Sequence, residues 1–446
     1  MTQPPVRTGA CPSCGAPVSF ALASSVVAVC GYCRFAVART DRDLRLVGKV
    51  ADLVPTTPEA AIGDEGNVAG HRFRVFGRLQ IDHGRGPWDE WYVALENGGW
   101  GWLARAQGRW YATSPAPYAP GSAPDYARAV AGTRLELAGQ TWVVAERGRS
   151  RVLSAEGELP LPVRVGEEGR YLDLSGPAGA FATLDYGDGS EPPRLYVGRV
   201  VPAEQVRFTM RAAGPRPAHV VETARLRCPS CGAPVELFVP DRAERRTCGH
   251  CNALLDVEHG ELRYLKHLEP RPVRPTIPIG ARGTLRGEAV VCTGFMLRSV
   301  VEDGEWFQWT EYLLWTPAGY RWLTEDARGH FHLYRPIEIG DVVVDGHQAF
   351  VGDRRFRLHT SGDVAPAHVD HVQGEFYWRV EVGDTSRLDD YVAPPEALGI
   401  ERTQDEIHAA LGTWVDPHEL WRAFGLSGPP PRPSGTGLAQ PAPSAR

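Results

Sequence analysis

A chain of 446 residues, 43% hydrophobic and 23% charged, is longer than one ordinary core requires and too apolar for global disorder. Its formal charge of -6 gives no general basic field, so a nucleic-acid or anionic-membrane partner would need a local patch. With 49 Gly and 38 Pro among dispersed Val, Trp, Tyr and Thr, the composition favours many short strands and disfavours long helices.

Residues 1–9 carry little to bury and are expected to lie outside the fold. A zinc ribbon is expected over residues 10–48. Cys11-Pro-Ser-Cys14 is followed, after fifteen residues, by Cys30-Gly-Tyr-Cys33. Tetrahedral Zn²⁺ needs four thiolates at about 2.3 Å, and two knuckles at this spacing supply them. Gly15 permits the sharp turn that faces backbone N–H groups toward sulfur. The apolar run between the knuckles does not read as a secretory signal. Thiols flank it, Pro17 interrupts it, and bulky Val29 stands where a small residue should precede cleavage. No other stretch approaches the roughly 18 apolar residues of a membrane helix, so a cytosolic chain is expected.

A β domain is expected over 55–211, a Pro- and Ala-rich linker over 212–224, and a second ribbon over 225–265. The second ribbon repeats the first: Cys228-Pro-Ser-Cys231-Gly232, then Cys248-Gly-His-Cys251 after sixteen residues. Cys248-Gly-His-Cys251 alone would suit a redox dithiol, but that chemistry sits at a strand-to-helix junction in a βαβ framework, which this sequence lacks. Four thiolates leave no open coordination position, so the metal is expected to be structural. The ninth cysteine, Cys292, reads as a small buried apolar residue. A second β domain is expected over 275–426 and a disordered Pro-rich tail over 427–446.

The β domains are copies of one another. Ile62-Gly63, Gly66, Gly70 and Gly77 stand in constant step with Ile279-Gly280, Gly283, Gly287 and Gly294. Trp88, Glu90, Trp91 and then Gly99-Trp100-Gly-Trp102-Leu103 match Trp309, Glu311, Tyr312 and then Gly319-Tyr320-Arg-Trp322-Leu323. Farther on, Asp185-Tyr186 with Pro192-Pro193 is aligned with Asp390-Tyr391 and Pro394-Pro395, and Leu195 to Gly198 with Ala410 to Gly412. Short aromatic-rich runs ending in Gly turns predict hairpins. Further strands are expected at Thr141–Ala145, Arg151–Ser154, Val163–Leu174, Asp341–Val344, Phe356–His359 and Glu375–Val382. Short helices are expected at Thr403–Leu411 and Asp416–Phe424, and a turn at Pro202–Val206. The class is mainly β: a tandem duplication of a zinc ribbon followed by a sandwich or barrel-like domain.

These paired motifs resemble the bacterial family known as domain of unknown function 4178, the second copy more closely through Trp309, Glu311, Tyr312, Trp322, Leu323, Asp390, Tyr391, Gly412 and Trp414. The resemblance implies no established activity. It implies a setting beside aminopropyltransferase-like polyamine enzymes and small membrane proteins, hence a polyamine or membrane-stress context.

No phosphate loop, dinucleotide fingerprint or nucleophile motif supports an enzyme. Glu90 with Glu311 and Asp185 with Asp390 are the charged residues retained between the copies and could act as acid and base, with Glu311 and Asp390 together on a polyamine-like substrate as the alternative. Single carboxylates beside aromatics, however, commonly accept backbone or indole N–H bonds. His330, His332, His347, His359, His368 and His371 show no ligand spacing. Trp100 and Trp102 share a strand face, with core packing the simpler role. The alternative is a ligand platform of Trp88, Glu90, Trp100 and Trp102 in one copy, and Trp309, Glu311, Trp322 and Asp390 in the other. Aromatic faces beside carboxylates suit organic cations such as polyamines. The expected function is therefore a non-enzymatic binding or scaffold protein with protein partners. Nucleic acid is disfavoured because Asp241 and Glu244 dilute Arg242, Arg245 and Arg246.

Overall fold

The computed structural model describes residues 7–39, 44–49, 60–83, 87–106, 109–212, 225–239, 243–258, 261–269, 273–302, 304–363, 365–435 and 437–438. The chain divides into two compact units, Met1–Ala129 with Thr133–His219, and Val220–Arg446 with Val130–Gly132. Among the described residues no helix is long and apolar enough to cross a membrane.

In the first unit eight antiparallel strands form one barrel. They are β1 (His71–Asp82), β2 (Pro87–Leu95), β3 (Trp100–Ala106), β4 (Arg109–Pro115), β5 (Gln140–Leu159), β6 (Glu168–Ser175), β7 (Ala180–Gly187) and β8 (Arg194–Pro202). Their order is β1-β2-β3-β4-β8-β7-β6-β5, and β5 pairs back onto β1 to close the ring. The second unit repeats this with β9 (Glu288–Glu302), β10 (Glu305–Thr316), β11 (Gly319–Asp326), β12 (Phe331–Ile337), β13 (Ala367–Phe376), β14 (Thr385–Ala393), β15 (Glu396–Arg402) and β16 (Ile407–Val415). The order β9-β10-β11-β12-β16-β15-β14-β13 closes through β13 on β9. The architecture is thus mainly β, and of the sandwich and barrel alternatives it is the barrel.

Closure explains the repeated glycines. Gly77 and Gly294 sit where the ring seals, and a Cβ there would stand 1.8 Å from the Glu158 carbonyl oxygen or 2.8 Å from that of Glu375. Only glycine lets the seam strands approach this closely.

Alternation divides each strand between an outer core and the lumen. Outward-facing Phe73, Val75, Trp91, Val93, Leu103 and Trp110 pack under Phe208, whose strand Val206–Met210 pairs with Glu65–Val68. In the second unit the corresponding core, with Tyr312, Leu314, Leu323 and Phe331, is covered by Leu420 and Phe424 of helix α1 (Pro417–Phe424). That helix starts as its sequence predicts: Asp416 accepts from the His418 N–H, and Gly425 ends it in the left-handed conformation.

Several expectations require correction. Thr403–Leu411 is not helical. The Thr403 hydroxyl accepts from the N–H groups of Asp405 and Glu406, making a turn, and Ile407 and Ala409 are then buried on either side of exposed His408 in β16. The strand expected at Glu375–Val382 ends at Phe376, where Tyr377 and Trp378 turn away to pack on Tyr320 and Trp322. The strand expected from Val163 starts at Glu168. Arg7–Ala10, within the segment expected to lie outside the fold, pairs with Pro17–Phe20. The tail also joins the fold: the Ser434 N–H donates to the Arg328 carbonyl, and Leu438 packs on Tyr334 and Ala397. The linker expected at 212–224 lies, beyond Ala212, outside the described residues.

Register revises the alignment of the second half of each copy. Tyr171 pairs with Asp185 as Leu388 pairs with Glu401, and Asp173 pairs with Thr183 as Asp390 pairs with Gly399. The counterpart of Asp185 is therefore Glu401, and that of Asp390 is Asp173. The Asp-Tyr and Pro-Pro motifs of the two copies thus lie one strand out of step, Asp185 on β7 and Asp390 on β14, the counterpart of β6. Successive hairpins repeat the same in–out alternation, so such a slip preserves the pattern.

Candidate metal centres and barrel lumens

Each ribbon brings four thiols together. Cys11, Cys14, Cys30 and Cys33 form one group and Cys228, Cys231, Cys248 and Cys251 the other, with all sulfurs of a group within 4.8 Å of one another. The closest cross-knuckle pairs are 3.6 and 3.7 Å apart in the first group and 3.8 Å in the second. A tetrahedral ion with bonds of about 2.3 Å places its sulfurs roughly 3.8 Å apart, so both groups fit a metal ion. In each first knuckle Gly15 or Gly232 takes positive φ and donates its N–H to the Cys11 or Cys228 carbonyl. In each second knuckle Arg34 or Asn252 does the same toward Cys30 or Cys248. Four adjacent thiols without a cation cannot all ionise. The Phe35 N–H holds Cys33 down to about 7, whereas Cys14, though lowered by the Ala16 N–H, is pushed up to about 12 by its sulfur neighbours and burial. A bound cation removes that conflict.

Among the described residues these are the only groups of three or more His, Cys, Asp or Glu able to hold a metal, and the six histidines form none. Cys292 is fully buried, and burial pushes its thiol up to about 12. It is an inert core residue.

The lumen holds the other candidate residues. In the first barrel Trp88, Glu90, Trp100 and Trp102 all face inward, but they part company along the axis. Trp100 and Trp102 pack with Tyr92, Tyr196 and Leu79 against Val27 and Ala36 of the ribbon, so these indoles belong to a core and present no open platform. Trp88 and Glu90 lie farther along, beside Tyr111, with Phe181 against the tyrosine at 4.7 Å. Glu90 on β2 and Asp185 on β7 belong to strands on opposite sides of the ring, yet their charges act on one another, which only lumen-facing side chains allow. Burial pushes Glu90 up to about 7, the Asp185 charge adds to this, and the Trp88 indole N–H pulls it back. Burial likewise raises Asp185 and Asp173, with Glu146 acting on Asp173 and Arg194 drawing Asp185 down. Glu90, Asp173 and Asp185 each keep a minor part of their surface exposed.

The second lumen has the same frame with different contents. Trp309 donates its indole N–H to Glu311 at 2.7 Å, and Trp322 and Tyr334 stand nearby. Arg298 enters from β9 with 2% of its surface exposed. Its Nη1 lies 3.4 Å from Glu311 and 3.0 Å from Glu401, Nη2 donates to Ser386, and the guanidinium carbon is 5.7 Å from the Trp309 ring centre. Burial disfavours the Arg298 charge, but Glu401 and Glu311 more than restore it. Burial and the Glu311 charge push Asp390 up to about 7. Leu438 of the tail packs into this lumen, where neutral His332, lowered by burial, donates to its carbonyl.

A family model described as Domain of unknown function (DUF4178) matches residues 61–203 and 278–417, the two barrels. The chain belongs to this family. No curated protein and no solved structure matches it. Each family domain here follows a Cys₄ ribbon, and the join is a feature that motif reading missed. Glu158 accepts from the Ala21 N–H at 2.7 Å, the Leu22 N–H at 3.2 Å and the Ser25 hydroxyl, while Glu375 accepts from Phe238 and Val239 N–H groups at 2.5 and 2.7 Å. A short ribbon strand pairs at the same place in each copy, Val27 with Leu159 and Arg245 with Phe376. The signal was present: Gly157-Glu158 and Gly374-Glu375 stand at the same separation as Gly63 and Gly280.

Proposed function

We propose that this DUF4178 protein is a non-enzymatic binding protein in which structural zinc ribbons stopper two β-barrels and the first lumen holds a small organic cation. The observation that carries this is the set of three lumen carboxylates, Glu90, Asp173 and Asp185, with Glu90 interacting with both aspartates, beside Trp88, Tyr111 and Phe181. Arg194 acts on Asp185 alone, and an excess of acids against aromatic faces attracts organic cations by charge pairing and cation–π contact. Zinc is the metal that four-thiolate tetrahedral sites favour, and a closed shell keeps it structural. A nucleic-acid role finds less support, because Arg245 is committed to buried Asp256 and Arg246 stacks on Phe238 at 5.1 Å. Isothermal titration of the full chain with spermidine tests the reading. Salt-sensitive binding at one site is expected, and no heat from folded, metal-loaded protein at pH 8 with spermidine or with smaller organic cations would refute it. Metal analysis of the same sample should return two zinc ions per chain.

A further inference from the structure

The two barrels differ at one lumen position in a way that identifies a ligand. Trp309 pairs with Arg298 across β9 and β10, and in the first barrel Trp88 pairs with Ile81. Where the second copy carries its own guanidinium, the first carries an aliphatic side chain. The groups that hold Arg298 nevertheless persist: Glu311 corresponds to Glu90, Glu401 to Asp185 and Trp309 to Trp88. Ser386 corresponds to Gly169, where the Ser150 hydroxyl, 3.0 Å from the position a Cβ would take, supplies the neighbouring oxygen instead. Among the described residues of the first barrel none takes the place that Leu438 takes in the second. After β8 its chain turns outward, and Val206–Met210 pairs with Glu65–Val68 on the outside.

We infer that the first lumen takes a small molecule bearing a guanidinium group, seated between Trp88, Glu90 and Asp185 as the second lumen seats its own Arg298. This rests on the reading of the first lumen as a cation site and narrows it to one chemistry. A planar guanidinium can lie along an indole face while its N–H groups fork toward carboxylates on opposite walls, whereas an ammonium is a compact, strongly hydrated point charge that gains less from that geometry.

The test is calorimetric titration of the full-length, zinc-loaded chain at pH 8 with agmatine, methylguanidine, methylammonium and spermidine. Methylguanidine is expected to bind about tenfold more tightly than methylammonium, at one site per chain. Ile81→Arg, which supplies the guanidinium internally, should fold and abolish that binding. Glu90→Gln should weaken it about tenfold or more and serves as the second variant should Ile81→Arg misfold. Equal or better binding of the amines would overturn the guanidinium assignment and leave the cation site standing. No heat from any of the four would refute both. Guanidinium binding that survives Ile81→Arg and Glu90→Gln, or that occurs at two sites, would also overturn the inference.

Discussion

Replacing Glu90 by Gln should stabilise the unliganded protein at pH 8 and do much less near pH 5. An unfolded glutamate ionises near 4.5, whereas Glu90 in the fold holds its proton to about 7. Its folded pKa is raised, so its contribution is fully present below about pH 4.5 and is lost as pH rises through 7. The shift from 4.5 to about 7 corresponds to at most about 3 kcal/mol, and partial solvent access reduces this to about 2 kcal/mol. Gln is a permanent stand-in for the neutral acid, so above pH 7 the variant avoids that loss. The opposite sign is expected for Glu401→Gln, which removes the carboxylate charge nearest to buried Arg298, at 3.0 Å. Losing that charge should cost roughly 1–3 kcal/mol, since Glu311 at 3.4 Å is then left as the carboxylate against a buried guanidinium. Thermal melts at pH 5 and pH 8 followed by tryptophan fluorescence read both effects, with Trp88 and Trp309 as adjacent reporters. A Glu90→Gln variant that is less stable than the parent at pH 8, or a shift of the same sign for both variants, would refute the reasoning.

Stripping the metal with a strong chelator should release two ions and expose eight reactive thiols per chain, a stoichiometry checked by thiol titration, while the strands of the barrels persist by circular dichroism. Glu158→Ala and Glu375→Ala each leave at least two ribbon N–H groups without their acceptor. Each should cost roughly 2–4 kcal/mol and speed metal loss to a chelator several-fold from the affected ribbon alone. Ending the chain after Leu426 removes Leu438 from the second lumen and should lower that unit's melting temperature by a few degrees, by loss of about 1–2 kcal/mol of apolar burial. Differential scanning calorimetry should show the first unit's transition unmoved.

Much of the local structure was legible because it is written at short range. The spacing of Cys11, Cys14, Cys30 and Cys33, and of their later counterparts, sets two knuckles whose turn residues follow directly. Strict alternation placed Trp100 and Trp102 on one face and Leu103 on the other, as found. Asp416, Pro417 and Gly425 delimit the one α-helix among the described residues by chemistry internal to ten residues. The motif Trp-x-Glu likewise sets two side chains on one strand face, and Trp309 and Glu311 share a hydrogen bond there.

Sequence alone could not rank the barrel above the sandwich, nor align Asp185 with Glu401, since both questions turn on which distant strands pair. Ring closure joins β5 to β1 and sets β2 opposite β7, so Glu90 meets Asp185 across a space that no periodicity along the chain records. The same closure carries Arg298 to Glu401, 103 positions away, and leaves Ile81 in the corresponding place of the first barrel. The sequence by itself determined two ribbons, a duplicated β domain and which side chains share a face. Tertiary structure decided which face became a lumen and which copy fills its own. A pleated strand fixes side-chain direction locally, but the partner across a barrel is chosen only when the ring closes.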